Sequence, residues 1–268
     1  MTRNKMNFKP AIPNGITMLA LAFGVSALNM AFWGQWKMAF LFIVLSAVFD
    51  FFDGKFARML GVSSKFGVEL DSLSDLVSFG IAPGFIMYLW TMDSMARIEV
   101  LTNLAKRGDA VGMNWIFVVF LAMCCAARLA RFNSTTDDTK PDYWKHFFMG
   151  VPAPAGGFLA LYPLILWFAT NGHVDFFRSP VFSAVFIAFS GVMMVSRIPT
   201  LALKNIRLKN SYRTLALFLF FIFIAGLVTK PWITLAILGG AYIVSIPAGG
   251  LYFLKLKNKT PPKKRKKA

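Results

Sequence analysis

Apolar residues run almost unbroken through eight stretches of this chain, near 14–33, 36–60, 67–91, 113–132, 152–170, 181–203, 213–229 and 232–254, and polar residues gather between them. The stretches are about 20 residues long, the length at which an α-helix crosses a hydrocarbon core of roughly 30 Å. The pattern predicts an all-α polytopic membrane protein with about eight transmembrane helices. Segments two and three differ from the rest, because charged residues sit inside their ends. No internal repeat and no second, soluble domain is apparent. Residues 1–254 read as a single transmembrane domain and 255–268 as a polybasic tail.

The charges between the segments predict an orientation. One set of connections carries Arg3, Lys5 and Lys9; Lys55, Arg58 and Lys65; Arg128, Arg131, Lys140 and Lys145; Arg197, Lys204, Arg207, Lys209 and Arg213; and eight Lys and Arg from Lys255 onward. The opposite set is poorer, with Lys37, then Arg97, Lys106 and Arg107, then Arg178 and Lys230. Cytoplasmic loops of membrane proteins carry the Lys/Arg excess. Eight spans with both termini in the cytoplasm follow. The connection between segments two and three then lies on the cytoplasmic side. The basic N-terminus shows no small-residue cleavage pattern, so the first stretch reads as a retained helix rather than a signal peptide.

Composition agrees. Of 268 residues, 57% are hydrophobic and only 15% charged, with mean hydropathy +0.59; a soluble domain carries about 25% charged residues. The net charge of +17 would suit nucleic acid in a soluble chain. Here the cations lie between apolar spans, and an anionic lipid surface explains them without nucleic acid. Cys124 and Cys125 are adjacent within an apolar run, where an ordinary disulfide is geometrically disfavoured.

The candidate chemistry lies in four aspartates. Asp50 and Asp53 end the run MAFLFIVLSAVFDFFDG, and Asp71 and Asp75 lie in FGVELDSLSDLVSFGIAPG. A carboxylate in a membrane helix costs roughly 2.5–3.5 kcal/mol on insertion scales, and four together repel one another. Spacings of three and four residues put each pair on one helix face. Two facing pairs make an all-oxygen pocket, which suits Mg²⁺ or Mn²⁺ rather than Zn²⁺. Four carboxylates suffice for two ions with shared ligands, an arrangement used in phosphoryl chemistry. Gly54 leaves room for a ligand to approach the backbone, and Arg58, four residues on, can hold a phosphate in a bidentate fork. Taken singly, Gly54 also reads as a packing glycine and Arg58 as a flank charge.

As a pattern, residues 50–75 run D-x2-D-G-x2-A-R-x8-G-x3-D-x3-D, through Asp50, Asp53-Gly54, Ala57-Arg58, Gly67, Asp71 and Asp75. This resembles the signature of the CDP-alcohol phosphotransferase family. The resemblance implies a six-helix core, often dimeric, with a divalent metal pair near the cytoplasmic surface; two C-terminal helices complete the count of eight. ELDSLSDLVSFGIAPG, ARLARFN at 127–133, FFMGVPAPAGG at 147–157 and SRIPT at 196–200 look like the bacterial phosphatidylserine-forming branch of that family. That resemblance implies CDP-diacylglycerol and L-serine as substrates, and phosphatidylserine and CMP as products.

The resemblance also implies roles. Asp50, Asp53 and Asp71 ligate one metal, and Asp50, Asp71 and Asp75 the other, with Asp75 as general base. Gly54, Arg58 and Ser64 hold the cytidine diphosphate. Asn14, in PNGIT, matches an early nucleotide contact, although it reads equally as a helix N-cap. The serine pocket is open: Arg128 and Arg131 share a face and suit the serine carboxylate or a lipid phosphate, but they also suit a positive flank. A different acceptor (choline, glycerol phosphate or inositol phosphate) remains within the family, and an ion-coupled transporter is an alternative outside it.

Overall fold

The computed structural model describes residues 11–62, 64–102, 107–134, 147–201 and 213–259. Ten α-helices are described: α1 Ala11–Phe32, α2 Trp36–Leu60, α3 Lys65–Asp75, α4 Ala82–Thr102, α5 Arg107–Ser134, α6 Ala153–Ala160, α7 Tyr162–Ala169, α8 Pro180–Val195, α9 Arg213–Thr229 and α10 Pro231–Lys259. A π-helical turn, Leu76–Ile81, joins α3 to α4 without a break. The protein is a predominantly α-helical polytopic membrane protein. Among the described residues, four helical runs are long and apolar enough to cross a bilayer: Ala11–Phe32, Lys65–Asp93, Trp115–Ser134 and Pro231–Leu256. Arg3, Lys5, Lys9, Lys140, Lys145, His146, Lys204, Arg207, Lys209 and the end at 260–268 lie outside the described residues.

The chain divides into two compact units, one comprising Met1–Thr135 and Pro152–Val195, the other Thr136–Val151 and Ser196–Ala268. In the first, α1 and α2 form an antiparallel hairpin. Gly34 takes the left-handed conformation at its tip (φ 69°), which glycine adopts without steric cost. Phe23 stacks on Phe42 and Phe49, with ring centroids 5.7 and 5.1 Å apart, and the Ser46 hydroxyl donates to Ala20 O at 2.8 Å. The run α3–π–α4 crosses this hairpin. Its contact with α1 is close at Gly24, where a Cβ would overlap the Ser78 side chain. Phe79, Ala82, Ile86, Met87 and Trp90 fill the core behind it.

Two differences from the sequence pattern have physical causes. Segment five is not one helix: it breaks at Leu161 into α6 and α7, because Pro163 has no N–H to donate and its ring crowds the preceding turn. Segment six ends at Val195 rather than near 203. Pro199 disfavours helix in the residue before it, and Pro199–Leu201 forms a strand, β2. This pairs antiparallel with β1, Phe147–Met149, in the second unit. There the Thr200 hydroxyl donates to Gly150 O at 2.7 Å, and Phe147 packs on Tyr252 and Phe253 of α10.

Arg178, expected only as a loop cation, is buried. It pairs with Asp93, donates to Trp90 O, and lies against both the Trp90 and Trp167 rings. It pins the connection before α8 to α4 and α7.

Helices α6 and α8 pack through Gly156, where the Ser190 hydroxyl donates to the Gly156 carbonyl and a Cβ would overlap Met194. Gly156→Val is therefore expected to destabilise the first unit by about 1–3 kcal/mol, the usual range for overpacking. A thermal midpoint measured in detergent checks this. Ala155→Val, one residue away on a less buried position, should move the midpoint far less.

Candidate active site

Helices α1, α2 and α3 converge at the aspartates. Helix α2 ends in a left-handed Gly61 (φ 62°), with Gly61 and Val62 N–H groups donating to Arg58 O and Ala57 O. This close pair of bonds stops the helix within a turn of Arg58. Helix α3 starts at Ser64, whose hydroxyl accepts from the Gly67 N–H at 3.0 Å. The short connection brings the two carboxylate-bearing faces together.

Asp50, Asp53 and Asp71 each present an oxygen within 4.8 Å of the others. Asp50 also lies within hydrogen-bonding reach of Asp75. Asp53 is 5% exposed and Asp75 9%, and Asp75 Oδ1 is buried without a hydrogen-bond partner among the described residues. Among the described residues, Arg58 lies beside Asp53, and Arg128 beside Asp50 and Asp75. Among the described residues, four buried or half-buried acids therefore face two guanidiniums, which leaves negative charge uncompensated. Closely spaced, oxygen-only donors with one orphaned oxygen fit a hard divalent cation.

The π-helical turn begins at the residue after Asp75. One extra residue in that turn resets the register, so Asp71 and Asp75 face α2 while the residues beyond face the core. Insertions of this kind gather at functional sites.

Next to the acids lies a cleft of about 450 Å³, within the range typical of small-molecule sites. Asn14, Gly54, Arg58 and Ser64 all line it, with Asp53, Asp71 and Gly67. The glycines shape it. A Cβ on Gly54 would stand 3.5 Å from the Arg58 guanidinium, so that group lies over the bare backbone. A Cβ on Gly67 would press on Asn14 Oδ1 and Ser64 Oγ, at 3.0 and 3.2 Å.

The two candidate arginines part company. Arg128 faces Asp75 and Asp50. Arg131, one turn on, donates to Val195 O at 2.7 Å and Met194 O at 3.4 Å, capping the last carbonyls of α8, where a cation is favoured. Asn133 donates to Ser72 Oγ at 2.9 Å, tying the end of α5 to α3 beside Asp71. Sequence reasoning missed Thr17, Pro13, Gly61 and Val62, which also line the cleft. Thr17, three residues after Asn14 on the same helical face, carried a readable signal.

A family model described as CDP-alcohol phosphatidyltransferase matches residues 10–202. The chain belongs to the CDP-alcohol phosphatidyltransferase family. A second model, CDP-alcohol phosphatidyltransferase 2, matches residues 211–247 in α9 and α10. Among relatives within the family, the chain is similar to the CDP-diacylglycerol–serine O-phosphatidyltransferase of Mycobacterium leprae, 31% identical over 88% of this chain and 73% of that protein. It resembles the like-named protein of Helicobacter pylori strain 26695, 31% identical over 87% of each chain. A third, from Methanocaldococcus jannaschii, is 29% identical over 70% of this chain and 72% of its own. The phosphatidyltransferase match from residue 10 to 202 takes in the whole carboxylate cluster and every residue on the cleft wall.

Proposed function

We propose that the protein transfers the phosphatidyl group of CDP-diacylglycerol to the hydroxyl of L-serine, giving phosphatidylserine and CMP. The observation that carries this reading is the carboxylate cluster opening onto the cleft lined by Asn14, Gly54, Arg58 and Ser64. The acceptor follows from the relatives, whose names specify serine.

Asp50, Asp53, Asp71 and Asp75 would hold two divalent ions, Mn²⁺ or Mg²⁺. When bound, these supply positive charge against the diphosphate and the departing CMP. The chain's own groups do the rest. Arg58, folded over Gly54, grips a phosphate of the nucleotide in its fork. Asn14 and Ser64 border the cytidine end. Arg128 holds the serine carboxylate and so brings the hydroxyl toward Asp75. The serine oxygen attacks the phosphorus bearing diacylglycerol, and the bond from that phosphorus to the CMP oxygen breaks. CMP leaves with the bonding pair, and the hydroxyl proton passes to the Asp75 carboxylate, whose Oδ1 has no other partner among the described residues. No covalent enzyme intermediate is needed. Arg131, already committed to α8, serves as a helix cap rather than a substrate ligand in this scheme.

The site faces the cytoplasm of a bacterium from its inner membrane, with both termini on that side and the polybasic tail against anionic lipid. The charge asymmetry of the connections supports this placement. The active form is a homodimer. An acceptor panel tests the central assignment. With CDP-diacylglycerol and Mn²⁺, serine should outcompete choline, glycerol phosphate and inositol phosphate supplied at equal concentration. Faster product formation with any of the other three would reassign the acceptor.

A further inference from the structure

Thr17 takes no part in the scheme above, yet it touches both helices that carry the acids. It lies on α1, one turn beyond Asn14, and is 4% exposed. Its hydroxyl has one proton and two acceptors in reach: Pro13 O at 3.1 Å and Asp53 Oδ2 at 2.6 Å. A helical threonine ordinarily returns its proton to the carbonyl four residues back. Here the carboxylate oxygen is the closer acceptor, and a charged acceptor makes the stronger bond. On its other side, the Thr17 carbonyl accepts from the Ser74 hydroxyl at 3.4 Å, and Ser74 precedes Asp75. Thr17 therefore borders Asp53 on α2 through its side chain and Ser74 on α3 through its backbone.

We propose that Thr17 is a positioning residue for the carboxylate cluster: its hydroxyl engages Asp53 Oδ2 from the α1 side and fixes the plane in which Asp53 offers its charge to a divalent cation. The proposal rests on the reading of the aspartates as a metal site. A free Asp53 carboxylate can turn about its terminal bond, because sp³–sp² torsions are broad; a single short hydrogen bond to a buried hydroxyl removes that freedom. Groups that orient metal ligands in this way typically contribute a factor of about 10–100 to metal affinity.

The test is Mn²⁺ binding to the purified full-length chain in detergent, read by electron paramagnetic resonance of the free ion, without substrate. Thr17→Val keeps the branched shape and loses the hydroxyl; Thr17→Ser keeps the hydroxyl. The expected result is Mn²⁺ affinity weakened about 10–100-fold in Thr17→Val and close to wild type in Thr17→Ser. Transfer by Thr17→Val should recover as Mn²⁺ is raised, with kcat restored while the Mn²⁺ requirement stays high. If Thr17→Val does not fold, Thr17→Ala carries the same expectation. Wild-type affinity in Thr17→Val, or equal loss in Thr17→Ser, overturns the role of the hydroxyl. A wild-type chain that takes up no Mn²⁺ overturns the metal reading itself and the proposal with it, and the wild-type titration separates these outcomes.

Discussion

Asp75→Asn is expected to reduce serine-dependent transfer by about 10²–10⁴-fold, the range associated with loss of a general base, while the protein remains folded. The substitution is isosteric, so packing against α2 should survive. It removes the group assigned to accept the serine proton, and it replaces the buried, unpartnered Oδ1 with an atom of different charge. Because the change also removes a negative charge from beside Asp50 and Asp71, the metal-free protein should lose no thermal stability. Initial rates at saturating substrate, together with a thermal midpoint, check both halves. Near-normal rates with folded Asp75→Asn would remove Asp75 from the role of base.

Asp50→Asn should produce an equally large loss of activity and should raise the stability of the metal-free protein. Asp50 is the hub of the cluster, within reach of Asp71 and Asp75 and grouped with Asp53. Like charges brought together in a poorly solvated place repel. Replacing the central carboxylate relieves that repulsion, so the metal-free Asp50→Asn protein is expected to melt at a higher temperature than metal-free wild type. Divalent metal should then reverse the order. A ligand at 100 times its Kd stabilises the folded state by about 2.7 kcal/mol. Wild type should gain stability on adding Mn²⁺, whereas Asp50→Asn should gain little. Melting curves with and without Mn²⁺ measure this crossover; equal metal-induced shifts in the two proteins would contradict the assignment of Asp50 as a ligand.

Much of the fold can be read along the chain because, in a bilayer, apolar length translates directly into helix. Segment 36–60 coincides with α2 and 213–229 with α9. The failures occur where backbone chemistry overrides hydropathy. Pro163 splits α6 from α7, and Pro199 helps turn the end of segment six into β2; hydropathy is indifferent to a missing N–H. The pairing of β1 with β2 joins residues some fifty positions apart, a contact that no local pattern encodes. The π-helical turn itself, Leu76–Ile81, contains no proline and no charge.

The site was legible for a related reason. Helical spacing placed each aspartate pair on one face, and a membrane makes clustered acids conspicuous. Asn14, Gly54, Arg58 and Ser64 reach one cleft because α1, α2 and α3 meet there. The arginines were less legible: Arg128 and Arg131 share a helical face in sequence, yet α8 captures Arg131 through its terminal carbonyls. Arg178 reads as a loop cation and proves to be a buried pin, because its partners, Asp93, Trp90 and Trp167, are remote in sequence. Thr17 shares the helical face of Asn14, and that spacing signals its place on the cleft; its partner Asp53 lies 36 positions away, a contact that no local pattern encodes.

The most direct measurement is the coupled formation of phosphatidylserine and CMP by the purified full-length protein from CDP-diacylglycerol and labelled serine. The two products should appear in a one-to-one ratio with Mn²⁺ or Mg²⁺, stop when the metal is chelated and resume when it is restored. Folded protein that forms no phosphatidylserine under these conditions, or forms it equally well in chelator, would contradict the account.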